Sequence, residues 1–220
     1  MTIKEDGSGT IQITEFRHEP SYMKLVGENY GKENIFKDSS YVFKEYIDKY
    51  NYNYIKYTPT EQMLFSTYTD VLVSIKKSSF DKEYKSTFKY SFDKVEKLPD
   101  LYKTEDYADD LENNYALTAE KHYYNVSYTY ANSVFKRTIT ITNPNEQNSQ
   151  KTEMEAAKSK YGSMGFVQTY QLNYNFPRKI KSVSNASAKI SENRKALSIT
   201  FPLSDCIATP EITQLEVILE

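Results

Sequence analysis

The sequence predicts an α+β fold, an antiparallel sheet built from hairpins with interspersed helices packed on one face. Three observations carry this. Short apolar-alternating runs come in pairs around turn residues, as hairpins require. Segments of helical period lie between the pairs, which places helices against the sheet rather than in a separate layer. No Gly/Ser-rich linker divides the 220 residues, so residues 1–220 are expected as a single domain, with a β-rich C-terminal lobe from about 165.

The elements follow in order. Asp6-Gly7-Ser8-Gly9 is turn chemistry, and Thr10-Ile11-Gln12-Ile13-Thr14 alternates as a strand with one buried face. In "DSSYVFKEYIDKY" (38–50) Val42, Tyr46 and Tyr50 fall at i, i+4, i+8, which predicts a helix capped by Asp38 or Ser39. "NYNYIKY" (51–57) reads as linker or strand. Thr58-Pro59-Thr60-Glu61 is a capping box with Pro at the first helical position, and that helix should end before Thr69. "DVLVSIKK" buries Val71, Val73 and Ile75. "EYKSTFKYSF" sets Tyr84, Phe88, Tyr90 and Phe92 against Lys85, Thr87, Lys89 and Ser91, with "SSFDK" as the connecting loop. Residues 93–114 read as helix in two pieces around Pro99, with Val95, Leu98, Tyr102 and Leu111 inward.

A second hairpin, "HYYNVSYTY" and "VFKRTITI", turns at Ala131-Asn132-Ser133. The helix "QKTEMEAAKSKYG" places Met154, Ala157 and Tyr161 on one side and stops at Gly162. In "FVQTYQLNYNF", Phe166, Tyr170, Leu172, Tyr174 and Phe176 alternate with Val167, Thr169, Gln171, Asn173 and Asn175. "ASAKI-SENRK-ALSITF" is a third hairpin, and "ITQLEVILE" is a terminal strand. The predicted core includes Ile11, Ile13, Val73, Phe88, Phe92, Tyr170, Leu172, Leu197 and Ile199.

Composition narrows function by exclusion. The 28 basic and 30 acidic residues are interspersed and the net charge is −2, so no basic stripe marks a nucleic-acid binder. No apolar run is long enough to span a bilayer. The 21 tyrosines and 11 phenylalanines fit the codon usage of an AT-rich genome; the other reading, an aromatic surface for glycans or a partner, is weakened by the absence of Trp.

Reactive groups are sparse. His18, between Glu15 and Glu19, reads as a charged strand end rather than half of a metal pair, and His122 as an edge residue. The single cysteine, Cys206, has no neighbouring His or basic partner and reads as a small buried or half-buried thiol. Asp106, Asp109, Asp110 and Glu112 lack the spacing and turn glycine of a calcium loop and read as a solvated helix face. Gly7 and Gly9 precede a strand, so they form no phosphate loop. No catalytic, cofactor-binding or metal-binding residue is assigned, no cofactor is expected, and the protein is read as not an enzyme. A hydrolase built on two acidic residues that converge in space is the least favoured alternative.

The opening "TIKEDGSGTIQI" resembles the first hairpin of an uncharacterised lipoprotein family of Bacteroidetes bacteria, and "FKDSSYVFKEYIDKY" and "STFKYSFDKVEKLPDLY" follow in a similar order. "YQLNYNFPRKIKSVSNASAKISENRKALSITFP" is similar to the closing segment of bacterial lipoproteins, including the LppM-like domain, with Phe201 where a Trp often closes the final hairpin. These segments cover about half the chain. The resemblance implies a mature lipoprotein whose signal peptide and lipid-bearing cysteine lie upstream of Thr2, anchored in the cell envelope on a periplasmic or outer-membrane face. It supplies no catalytic residues. The expected work is therefore non-catalytic: binding a protein or another envelope component on an exposed sheet face or edge, or serving as a structural subunit of an envelope complex. The alternative is a cytosolic protein that starts in a strand.

Overall fold

A computed structural model of the chain describes residues 1–32, 35–161 and 168–220. The expected helix stop at Gly162 and strand residues Phe166 and Val167 lie outside the described residues, as do the side chains of Ala157 and Tyr161. In chain order the elements are β1 (Thr2–Ile3), β2 (Gly9–Phe16), α1 (Glu19–Val26), β3 (Phe36–Val42), α2 (Phe43–Lys49), α3 (Asn51–Tyr54), α4 (Pro59–Ser66), β4 (Leu72–Ser78), β5 (Glu83–Phe92) and α5 (Thr104–Asn113). They continue as β6 (Tyr124–Ala131), β7 (Val134–Ile141), α6 (Pro144–Tyr161), β8 (Thr169–Asn175), β9 (Ile180–Val183), β10 (Lys189–Ile190), β11 (Ala196–Pro202), α7 (Leu203–Ala208) and β12 (Leu215–Leu219). This is an α+β fold.

The chain forms two compact units from interleaved segments. The first comprises residues 1–10, 92–98 and 122–220; the second comprises 11–91 and 99–121.

In the first unit the strands run β10-β11-β8-β1-β2 in one sheet and β6-β7-β12-β9 in an antiparallel second sheet. The first of these sheets is mixed, because β1 pairs parallel with β8 at Thr2↔Asn175. Local chemistry sets the turns. The Asp6 carboxylate accepts bonds from Ser8 N (3.0 Å) and Ser8 Oγ (2.7 Å). A Cβ on Gly9 would lie 2.0 Å from the Thr2 carbonyl oxygen, so only glycine fits where β2 leaves this turn. Asn132 (φ 51°) and Ser133 (φ 66°) take the two left-handed positions of a tight hairpin. Between the sheets, the Phe135 ring on β7 meets Tyr174 at 5.1 Å and Phe176 at 5.5 Å, while Leu172, Leu197 and Ile199 are buried beside them. Each such side chain contributes about 1.5–3 kcal/mol of burial. Tyr170, expected in the core, is half-buried, and its hydroxyl accepts a bond from the buried Arg137 (3.3 Å).

In the second unit the strands run β2-β5-β4-β3. Val73, Ile75 and Phe88 face inward and are buried with Phe43, Phe65, Tyr107 and Leu111 from the helices. Phe65 meets Tyr107 edge-on at 5.2 Å, and Tyr68 lies 4.7 Å from the same ring. Ile13, predicted as core, is only half-buried. The capping box on α4 forms as read: Thr58 N donates to Glu61 Oε2 (2.8 Å) and Glu61 N donates to Thr58 Oγ1 (3.3 Å).

Two local readings need correction here. Residues 38–42 are strand, not helix. The helix begins at Phe43, its N-cap is Val42 rather than Asp38 or Ser39, and Val42 N donates to Glu45 Oε2 at 3.2 Å. Residues 51–54 are a further helical turn, not linker or strand.

Candidate functional site

The strand that the sequence pattern hid is also the edge of the second unit's sheet. β3 pairs with β4 through a regular antiparallel register from Phe36↔Ser78 to Val42↔Leu72. In an antiparallel ladder alternate residues aim both backbone groups at the partner. The phase is set at the two ends: Ser79 N donates to the Ile35 carbonyl (3.0 Å) and Phe43 N donates to the Val71 carbonyl (2.9 Å). Odd-numbered residues of β3 therefore face β4. Phe36, Asp38, Ser40 and Val42 turn their N–H and C=O groups outward, and Glu45 takes up only the Val42 N–H. β3 lies at the end of the strand order, so its outward row meets no further strand among the described residues. Such an edge is a template for another strand.

One end of the same sheet carries large exposed apolar groups. Phe80, in the β4–β5 loop, is 93% exposed, Phe16 at the end of β2 is 74%, and Phe36 at the start of β3 is 73%. The register brings them to one end. Phe36 stands opposite Ser78, Ser78 opposite Glu83, and Arg17 N, next to Phe16, donates to the Tyr84 carbonyl (2.9 Å). Three phenyl rings at this exposure present roughly 400–500 Å² of apolar surface in all, spread across the four strands of this sheet end; the largest apolar patch of a monomer is of this order and is often functional.

Beside them, on the sheet face away from the helices, lies an open groove of about 290 Å³ along Asp38, Ser40, Ser74, Lys76, Lys85 and Thr87. Its lining is polar: Ser40 Oγ lies 3.0 Å from Ser74 Oγ, and Lys76 stands 3.8 Å from both Asp38 and Glu83.

The other end of β3 is held rigidly. Tyr41 stacks on Tyr46 at 4.8 Å, and Tyr46 and Tyr50 donate to the two oxygens of Glu112 on α5 (2.5 and 2.7 Å). Burial first, and then the Glu112 bond, pushes the Tyr46 hydroxyl well above the usual tyrosine range; the same two bonds hold Glu112 below the usual carboxylate range. A salt-bridged lattice keeps the helix-facing side in register too, since Lys77 Nζ reaches Glu105 Oε1 (3.2 Å) and Ser86 Oγ donates to the same oxygen (3.0 Å).

The residues weighed for chemistry fall apart in space. His18 precedes α1 with Nδ1 2.8 Å from Ser21 Oγ, while Glu19 is buried between Arg17 and the Tyr30 hydroxyl. His122 lies just before β6, and its carbonyl accepts from Thr142. Cys206 is buried in α7, where burial pushes its thiol up to about 11, as suits an inert thiol. Asp106, Asp109 and Glu112 line α5, but Asp110 is fully buried, contrary to the solvated face expected of all four. Its carboxylate accepts from Thr118 N (2.8 Å), Thr118 Oγ1 (2.6 Å) and Ala119 N (3.3 Å). No group of three or more His, Cys, Asp or Glu is placed to hold a metal ion among the described residues, and none of their helices is long and apolar enough to cross a membrane.

Comparison of the chain with family models, curated proteins and solved structures finds no match in any of the three.

Proposed function

We propose that this protein is a non-catalytic binding module of the bacterial cell envelope, held at a membrane by an N-terminal lipid. On this reading it docks a protein partner at the phenylalanine end of its second unit. The observation that carries the reading is the convergence of Phe16, Phe36 and Phe80 at one sheet end, with the open face beside them. Exposing three phenyl rings to water costs solubility and gains nothing for the fold, so a surface that keeps them is explained by something that covers them. The groups that could do chemistry are instead bonded into the scaffold: Glu112 to two tyrosines, Asp110 to a turn, Glu19 to Arg17. The lipid follows from the resemblance of the opening and closing segments to lipoproteins. Two or more acyl chains, at about 0.8 kcal/mol per buried CH₂, would hold such a polar domain at a bilayer without a spanning helix.

The test is fractionation of the product of the complete gene. It should sediment with membranes and partition into detergent, and replacing a cysteine just upstream of Thr2 by alanine should release it. A product that is soluble in the cytosol with no such cysteine removes the envelope reading.

A further inference from the structure

We propose that the partner docked at the phenylalanine end is an acidic protein segment, one of whose carboxylates lies over Thr87 between Lys85 and Lys89. The inference rests on the docking reading above and adds to it the chemistry of the partner.

The strand registers lay out the open face of the second unit's sheet. Ser40 on β3 stands opposite Ser74 on β4, and Ser74 opposite Thr87 on β5, so three hydroxyls form one row across the strands. The row on one side of it is Asp38, Lys76 and Lys85; the row on the other is Val42, Leu72 and Lys89. Side chains of one face recur every second residue, about 6.7 Å along a strand. Lys85 and Lys89 therefore flank Thr87 at equal distances.

Lys76 and Lys85 stand directly opposite, an arrangement that like charges make unfavourable. The carboxylates nearby relieve only one of them, since Asp38 and Glu83 both stand 3.8 Å from Lys76. The side chains of Lys85 and Lys89 are exposed and have no ion pair or hydrogen bond among the described residues. On the far flank of β5, β2 presents the uncharged Gln12 and Thr14, with Gln12 Nε2 donating to Thr14 Oγ1 (3.1 Å). The acids of α5 serve the covered side, where Glu105 accepts from Lys77 and Glu112 accepts from Tyr46 and Tyr50. The uncompensated charge of the open face is thus positive and centred on Thr87.

That charge selects the occupant. A basic segment is repelled by Lys85 and Lys89, and a wholly apolar one buries two ammonium groups without partners, which is costly. An acidic segment satisfies both. A carboxylate over Thr87 accepts from an ammonium on either side and from the hydroxyl beneath, and bonds of this charge-assisted kind are the strong ones. The adjoining groove of about 290 Å³ lies at the small end of ligand pockets, a size for side chains of a segment whose apolar residues cover Phe16, Phe36 and Phe80.

The product of the complete gene, carrying a photoreactive phenylalanine analogue at position 80, would be irradiated in cells and the cross-linked peptide mapped by mass spectrometry. The mapped peptide should belong to a protein and hold more Asp and Glu than Lys and Arg. Lys85→Glu with Lys89→Glu should lower the adduct roughly tenfold or more. Lys189→Glu with Lys195→Glu, the same change of charge at exposed sites of the first unit, should leave it unchanged. The peptide is mapped on the unreversed chain and so does not depend on how the variants fold. An adduct undiminished by the reversal at 85 and 89, or a peptide in which basic residues prevail, overturns the acidic assignment and leaves the docking reading standing. An adduct formed with lipid alone, or no adduct from the unreversed chain, removes both.

Discussion

Leu172→Asp is expected to abolish cooperative folding. Leu172 is buried on β8 directly opposite Ile199 of β11, in the core between the two sheets of the first unit. The substitution removes about 2–3 kcal/mol of apolar burial and puts a carboxylate into that packed core, a combination that exceeds about 4–5 kcal/mol. Domains of this kind hold roughly 5–15 kcal/mol in total, so near-UV circular dichroism should show no fixed tertiary structure and thermal scans no sharp transition. Asn173→Asp, one residue on and exposed, should stay within about 0.5 kcal/mol of the parent. A parental melting temperature for Leu172→Asp would mean that the 169–175 strand faces the other way.

The second large effect is expected at Asp110. Its carboxylate closes the turn after α5 by accepting two backbone N–H groups and the Thr118 hydroxyl, with Asp110 and Ala119 fully buried and Thr118 half-buried. Asp110→Ala orphans these donors and should cost roughly 3–4 kcal/mol, because each buried unsatisfied group costs about 1–3 kcal/mol. Urea unfolding should show the midpoint falling with an unchanged slope. Asp109→Ala, at an exposed neighbour, is the control, and equal midpoints for the two variants would place Asp110 on the solvent side after all.

These two residues show how much could be read before the structure. Leu172 was legible because a strand with one wet face writes its orientation in strict alternation, and Gln171 and Asn173 flank it. The Thr58–Glu61 cap and the Asp6–Ser8 turn were legible because each is complete within four residues. Asp110 was not. In an acidic run each carboxylate looks solvated, and only the helical period that turns Tyr107 and Leu111 inward carries Asp110 with them. β3 was hidden by an accident of spacing. Val42, Tyr46 and Tyr50 keep the i+4 rhythm of a helix across a boundary where the backbone changes from strand to helix, and Asp38-Ser39-Ser40 imitates an N-cap. What makes 36–42 a strand is its pairing with β4, thirty-odd residues away, and no local pattern encodes that. The docking end was illegible for a related reason. Phe16, Phe36 and Phe80 are ordinary strand and loop residues until the sheet shows which face the helices cover.

Photo-crosslinking in cells tests whether the phenylalanine end of the second unit is a docking surface. The product of the complete gene would carry a photoreactive phenylalanine analogue at position 80, with a matched control at the exposed Lys195 of the first unit. A discrete adduct in the membrane fraction from position 80, lost when Phe16 and Phe36 are replaced by serine and absent from position 195, is the predicted result. No adduct from position 80, or the same adduct from both positions, would contradict it.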